Sequence, residues 1–291
     1  MKNNRFVAMV LIPALGLLTL FIAIPIVGSF VISLFDYNPL MQNHPFMGFD
    51  NYKRLFSEDL YRISVRNTLV FVLVTSSINI ALGLVLASLI SGIRHRWLRN
   101  LVLVCIFLPC VVPIANSAVV WSRSLYAGRN GLFNILLEKL GIEAVNWMGD
   151  STMLMPALIL FTVWADMGYN TVLLTAGAEG IPHDLYEAAS IDGAGPLWRF
   201  FKITVPLLGR VMMFIIPMTL ISHFQMFAQF EIMARNGGPS RAGQVLTTYI
   251  YYSGFRAKDL GYASAISVTL FLMILIITTV QRRISRVDWE Y

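Results

Sequence analysis

Charge is scarce in this sequence. Asp, Glu, Lys and Arg make up 13% of it, about half the share of an ordinary soluble domain. With 57% of its 291 residues hydrophobic, a water-soluble fold could not hide the apolar surface, and that class is excluded. Cysteine is nearly absent as well. The two that occur, Cys105 and Cys110, stand five apart in an apolar stretch, a spacing that suits neither a redox pair nor a zinc site, so they read as small packing residues. The four histidines (His44, His95, His183, His223) are scattered. There is no His-Glu-x-x-His, no nucleophile elbow and no ligand cluster with metal spacing, so no catalytic residue and no metal site is expected. A Gly-x-x-x-x-Gly-Lys-Ser/Thr phosphate loop is also missing, and the chain is not expected to hydrolyse ATP itself. The net charge of +6 comes from 22 Lys and Arg spread among several segments without a basic and aromatic stripe, which argues against a nucleic-acid partner.

What fills the sequence instead is a set of six long runs, 6–35, 67–93, 100–122, 151–178, 211–230 and 260–281, in which charge is absent or, at Asp166, appears once. About 20 helical residues cover the roughly 30 Å hydrocarbon core, so each run can cross a bilayer and the first must tilt or project beyond it. Pro13, Pro25, Pro109, Pro113, Pro156 and Pro217 lie inside the runs. Membrane helices tolerate such prolines where neighbours satisfy the freed backbone, and they predict kinks around a cavity. The basic start (Lys2, Arg5) followed by the first run resembles a secretory signal, but the run is too long and lacks a small-x-small cleavage site, so it reads as a retained helix.

The expectation is an all-α, polytopic membrane protein with six transmembrane helices. Its parts are a first helix over 1–35, an extracytoplasmic loop over 36–66, a core of helices two to six over 67–282 containing a cytoplasmic loop at 179–210, and a cytoplasmic tail over 283–291. Orientation rests on basic residues, which mark the cytoplasmic side. Eleven Lys and Arg fall on the side of the termini (positions 2, 5, 94, 96, 99, 199, 202, 210, 282, 283, 286) and eleven on the other. The first set is packed into short segments near helix ends, as in Arg94-His95-Arg96 and Arg282-Arg283, which favours cytoplasmic N- and C-termini.

Polar groups inside a membrane are costly and face a cavity or another helix, so they are where a solute path is sought. Asp166 stands near the middle of the fourth run with Trp164, Tyr169 and Asn170 close by, and the fifth holds His223, Phe224, Gln225, Phe227 and Gln229, with Glu231 just beyond. Sugar recognition uses this mixture: aromatic faces for ring CH groups, amides and carboxylates for hydroxyls. Each residue also has a structural reading. Glu231 and Arg235 are four apart, as in a helical ion pair. His223 is expected to bond another helix rather than a ligand, and Asn116 and Trp121 in the third run are weaker candidates for the path.

Between the fourth and fifth runs lies Glu187-Ala188-Ala189-Ser190-Ile191-Asp192-Gly193, followed after nine residues by Ile203-Thr204-Val205-Pro206. Glu-Ala-Ala suits a short helix, Gly193 to Pro196 breaks it, and 197–205 alternates apolar residues with Arg199 and Lys202 as a surface helix does. The pattern resembles the EAA loop of binding-protein-dependent ABC importers, which is EAA, three residues, Gly, nine residues and I-x-L-P, with Val205 in place of Leu. Segments 181–186 (Ile-Pro-His-Asp-Leu-Tyr), 192–196 (Asp-Gly-Ala-Gly-Pro), 48–52 (Gly-Phe-Asp-Asn-Tyr) and 236–239 (Asn-Gly-Gly-Pro) are similar to the carbohydrate-uptake branch, in particular to the first membrane subunit of maltose and glycerol-phosphate importers.

The resemblance implies a MetI-like permease fold in a bacterial inner membrane. Glu187, Ala188, Ala189, Asp192, Gly193 and Pro206 would couple to an ATPase. It places Asp166 and Tyr169 at the sugar site, with fifth-run positions at Phe224 and Phe227. Asn170 and Gln225 join them by proximity. Maltose importers carry a small uncharged residue at the position of Asp166, which counts against maltose itself. The implied partners are a second homologous permease subunit, two copies of an ATPase subunit that hold ATP and magnesium, a periplasmic or lipid-anchored solute-binding protein, and membrane lipid. No cofactor is expected on this chain. Two other classes stay open from the residues alone: an ion-coupled secondary transporter using Asp166 and Glu231, which would be expected to show an internal repeat, and an intramembrane enzyme built on the same acids.

Overall fold

The computed structural model describes residues 2–284, and the expected tail over 283–291 lies outside them from position 285 on. The described residues hold no sheet, only one isolated bridge between Phe35 and Phe46. Among the described residues five helices are long and apolar enough to cross a membrane: Leu11–Ile32, Asp59–Ser91, Leu154–Glu179, Gly209–Met233 and Leu260–Ile284. A sixth crossing is available if Arg96–Val111 and Ile114–Leu125 count as one span.

That pair is where the run over 100–122 departs from a single straight crossing, because it bends by 90°. Pro113 has no N–H to donate, and its ring disfavours helical geometry at the residue before it. Val112 accordingly adopts φ −77° and ψ 130°, extended backbone between two helices. The fifth span is also interrupted. Helix Gly209–Phe224 stops, Phe227 takes φ −129° and ψ −51°, and a short helix restarts at Ala228–Met233. That helix ends at Met233, and Arg235 begins a separate turn, Arg235–Gly237. A milder device serves the first span, where a π turn over Thr19–Ala23 precedes Pro25 and accommodates the missing donor.

The segment over 36–66 is more than a loop. Asp50–Ser57 is helical, and the second span begins at Asp59 rather than near residue 67. Its 33 residues measure about 50 Å, so it projects well beyond the hydrocarbon. Asp59 and Arg62, 3.4 Å apart, belong to the projecting turn.

The chain gathers into two compact units. One comprises Met1–Ser64 and Leu246–Met273. Here Asn51 donates its amide to the carbonyls of Ser33 (2.9 Å) and Phe35 (3.1 Å), closing the end of the first span. Tyr52 shares a 2.8 Å hydroxyl bond with Ser33. Arg54 binds Glu58 at 2.9 Å and Asp259 at 2.8 Å while its guanidinium stacks 4.0 Å over the Tyr262 ring. Glu58 accepts a further hydrogen bond from Tyr249.

The other unit comprises Val65–Val245 and Ile274–Tyr291. Its aromatic cluster surrounds Trp121, whose ring centroid lies 5.0 Å from Trp164 and 5.4 Å from both Phe161 and Tyr126. A separate apolar core joins Ala87, Leu174, Ala178, Leu208 and Ile215. Gly168 lets helix Arg96–Val111 cross against the fourth span at close range, since a Cβ there would stand 2.5 Å from the Ile106 carbonyl oxygen.

Candidate functional site

Asp166 is the thirteenth of the 26 residues in Leu154–Glu179, which puts it about 18 Å from the helix start and near mid-membrane depth. It opens onto a cavity of about 380 Å³ within the second unit. The fourth span contributes Asp166, Tyr169 and Asn170, and the fifth contributes Met218, Thr219, Ser222 and His223. Cys110 reaches the same cavity from the bent pair, brought there by the close crossing at Gly168, whose Cβ position lies 2.9 Å from its sulfur.

Two buried polar chains underlie this cavity. His223 Nδ1 lies 2.7 Å from Ser76 Oγ on the second span, and His223 Nε2 lies 3.4 Å from Asp166 Oδ2. Below them Asn170 donates its amide to Asn79 Oδ1 at 2.9 Å and accepts from Thr219 at 3.2 Å. These bonds tie the second, fourth and fifth spans together where an unpaired polar group would be most costly.

The expected path residues are thus only partly assembled. Asp166 and Tyr169 face the cavity, and Asn170 lines it while spending its amide on other helices. Phe224, Gln225 and Phe227 do not line it. Phe224 is 1% exposed in the core, and Gln225 and Phe227 sit at the interruption of the fifth span, so no continuous Phe224 to Phe227 face exists. The fifth span presents instead Met218, Thr219, Ser222 and His223, which lie within the two turns before the interruption. Cys110, read as a packing residue, lines the cavity, and Cys105 is exposed. His223 does bond another helix. Thr219, Ser222 and His223 share helical i, i+3, i+4 spacing, and Thr75 and Ser76 stand four and three residues before Asn79, the one signal that could have found them.

The loop between the fourth and fifth spans is built to present a surface. Helix His183–Ile191 ends with Gly193 at φ +80°, a left-handed geometry that glycine adopts without steric penalty. Gly193 N–H donates to the Ser190 carbonyl at 3.1 Å and Ala194 N–H to the Ala189 carbonyl at 2.8 Å, the paired closure of a Schellman end. Pro196 then opens the next helix, where its missing N–H leaves nothing unsatisfied. The two helices are pinned by Arg199 to Ser190 (2.7 Å) and by the hydroxyls of Tyr186 and Thr204 (3.0 Å).

Glu187, Ala188, Asp192, Gly193 and Pro206 are exposed on this loop, whereas Ala189 is buried beneath it. Apolar side chains stand out beside them, with Ile191 86% and Leu197 76% exposed. A cleft of about 490 Å³ runs between Asp192, Gly193, Trp198 and Ile203. Exposed apolar residues grouped beside charged ones are the composition that interaction surfaces carry. Among the described residues no group of three or more His, Cys, Asp or Glu is placed to hold a metal ion.

Known proteins share both the motif and the architecture. The model of the family described as "binding-protein-dependent transport system inner membrane component" matches residues 79–286. The probable ABC transporter permease protein YurN of Bacillus subtilis is 31% identical over 291 residues, 99% of this chain and 99% of its own. The trehalose/maltose transport system permease protein MalF of Thermococcus litoralis is 34% identical, over 96% of this chain and 92% of its own. In fold, a chain in the crystal structure of a bacterial alginate ABC transporter, in complex with alginate pentasaccharide-bound periplasmic protein, superposes with a TM-score of 0.81 at 21% identity, covering 98% of this chain and 96% of that one. With its charge-poor spans, its Glu187 loop and relatives of its own length, the chain belongs to the inner-membrane components of binding-protein-dependent transport systems, as a multi-pass ABC permease.

Proposed function

We propose that this permease imports a carbohydrate or carbohydrate-like solute, driven by ATP hydrolysis on partner subunits. The solute would be handed over outside by a periplasmic or lipid-anchored binding protein and enter a path between this chain and a second homologous permease subunit. It would pass the cavity walled by Asp166 and Tyr169. Two ATPase subunits, which hold ATP and magnesium, would dock on the Glu187 loop from the cytoplasm, where both termini also lie. Their closure pushes a rigid loop, and the spans that flank it switch access between the two sides. The cargo class is supported by relatives such as the trehalose/maltose permease.

The observation that carries the coupling reading is the loop itself: a Schellman-ended helix, pinned to its successor, with Glu187 and Ile191 turned outward. Gly193→Asp or Glu187→Arg forces bulk or reversed charge into that docking surface. Losses of about 2–5 kcal/mol are usual for uncompensated charge at an interface, a tenfold or greater fall in retention. Purification of the tagged chain from native membranes should recover the second permease and the ATPase with wild type, and the second permease without the ATPase from either variant. Undiminished ATPase recovery and uptake in both variants would refute the coupling role.

A further inference from the structure

The mid-membrane cavity carries charge of one sign. Asp166, with its side chain 34% exposed, is the sole Asp, Glu, Lys or Arg among the residues that line it. The remaining groups do not cancel it. Tyr169, Ser222 and Thr219 offer hydroxyls and Cys110 a thiol, and Asn170 has committed its amide to Asn79. His223 is the one neighbour able to become cationic, and both its ring nitrogens are engaged. Nδ1 lies 2.7 Å from Ser76 Oγ, and Nε2 faces the Asp166 carboxylate at 3.4 Å. The engaged ring orients the acid, and no Lys or Arg lines the cavity to offset it. Between low-dielectric walls a carboxylate acts over several ångströms with little screening.

We propose that Asp166 selects cargo by charge: neutral and amine-bearing carbohydrates pass this side of the path, and carboxylated, phosphorylated or sulfonated ones are excluded. The cargo class rests on the importer reading above, while the negative potential at the cavity stands without it.

Cys110 provides a native thiol inside the cavity, and Cys105→Ser removes the other cysteine. In the assembled importer in lipid nanodiscs, at rest and with ATP bound under non-hydrolysing conditions, Cys110 is treated with a trimethylammonium-ethyl and with a sulfonatoethyl methanethiosulfonate. In both cases the thiolate attacks the thiosulfonate sulfur, a mixed disulfide forms and methanesulfinate leaves, so the ionisation of Cys110 cancels from the ratio of rates. The cationic reagent should be favoured by about tenfold or more over the ratio measured for a free thiol in water. Asp166→Asn should bring the ratio to the free-thiol value, and Asp166→Glu should preserve the bias. A free-thiol ratio in the wild type, a bias unchanged by Asp166→Asn, or no reaction with either reagent in either state would overturn the proposal. Failure of the importer reading looks different: the bias persists, yet no carbohydrate of any charge is taken up.

Discussion

At Gly168 a single methyl group decides how closely two helices can run. An added Cβ would stand 2.5 Å from the Ile106 carbonyl oxygen, 2.8 Å from Phe107 Cα and 2.9 Å from Cys110 Sγ. The first two are backbone atoms and cannot rotate away. Restoring an ordinary separation of about 3.5 Å means withdrawing helix Arg96–Val111 by on the order of 1 Å. Overpacking of this kind costs about 1–3 kcal/mol, against which alanine's helix preference returns about 0.5–1 kcal/mol. A net loss of roughly 1–2 kcal/mol lowers the folded-to-unfolded ratio about five- to thirtyfold. Gly16→Ala is the control, because nothing lies within 4 Å of a Cβ there and only the helix gain remains. Thermal unfolding of the purified complex should place Gly168→Ala below wild type and Gly16→Ala at or above it. Equal midpoints for Gly168→Ala and wild type would refute the close crossing, and with it the reason Cys110 reaches the cavity.

Three further outcomes follow from other parts of the molecule. Ser76→Ala strands His223 Nδ1, 2.7 Å from the lost hydroxyl, at about 1–3 kcal/mol; complex yield should fall while ATPase retention per complex holds, and unchanged yield would contradict the bond. On the other unit, burial alone would raise the Glu58 carboxyl, but hydrogen bonds from Tyr249 and Arg54 outweigh it and hold the group below its ordinary value of 4.5. A depressed folded value means stability present above the unfolded value and lost as pH falls from about 4.5 through the folded one. Tyr249→Phe should flatten that acid-side loss in protease protection of residues 50–58, and an identical pH profile would count against it. For orientation, Ser190→Cys should resist a membrane-impermeant thiol reagent in intact cells and react once the membrane is opened; labelling from outside would reverse the topology.

Much of this was readable from residues. The spans were legible because a charge in hydrocarbon is costly, so apolar runs and crossings coincide at Leu154–Glu179 and Leu260–Ile284. The loop was legible because Gly193 and Pro196 each sit where backbone geometry demands them. The break at Val112 was not, since Pro109 and Pro113 stand in the same run and Pro109 is absorbed within a helix. The fifth-span face failed for a related reason: the interruption after Phe224 resets helical phase, so spacing no longer tells which side Phe227 shares. Ser76 and Asn79 are uncharged and small, and only the folded second span shows what they bond. Nor does sequence hint that Arg54 and Asp259, 205 positions apart, meet at 2.8 Å.

Uptake by reconstituted vesicles distinguishes an ATP-driven importer from an ion-coupled transporter. The permease pair and ATPase are placed in proteoliposomes with ATP inside and the solute-binding protein with labelled carbohydrate outside, and accumulation is followed with and without each component and with imposed proton or sodium gradients. Accumulation should require both ATP and the binding protein, be indifferent to the gradients and collapse with Gly193→Asp. Accumulation driven by a gradient without ATP, and preserved in Gly193→Asp, would contradict the importer reading.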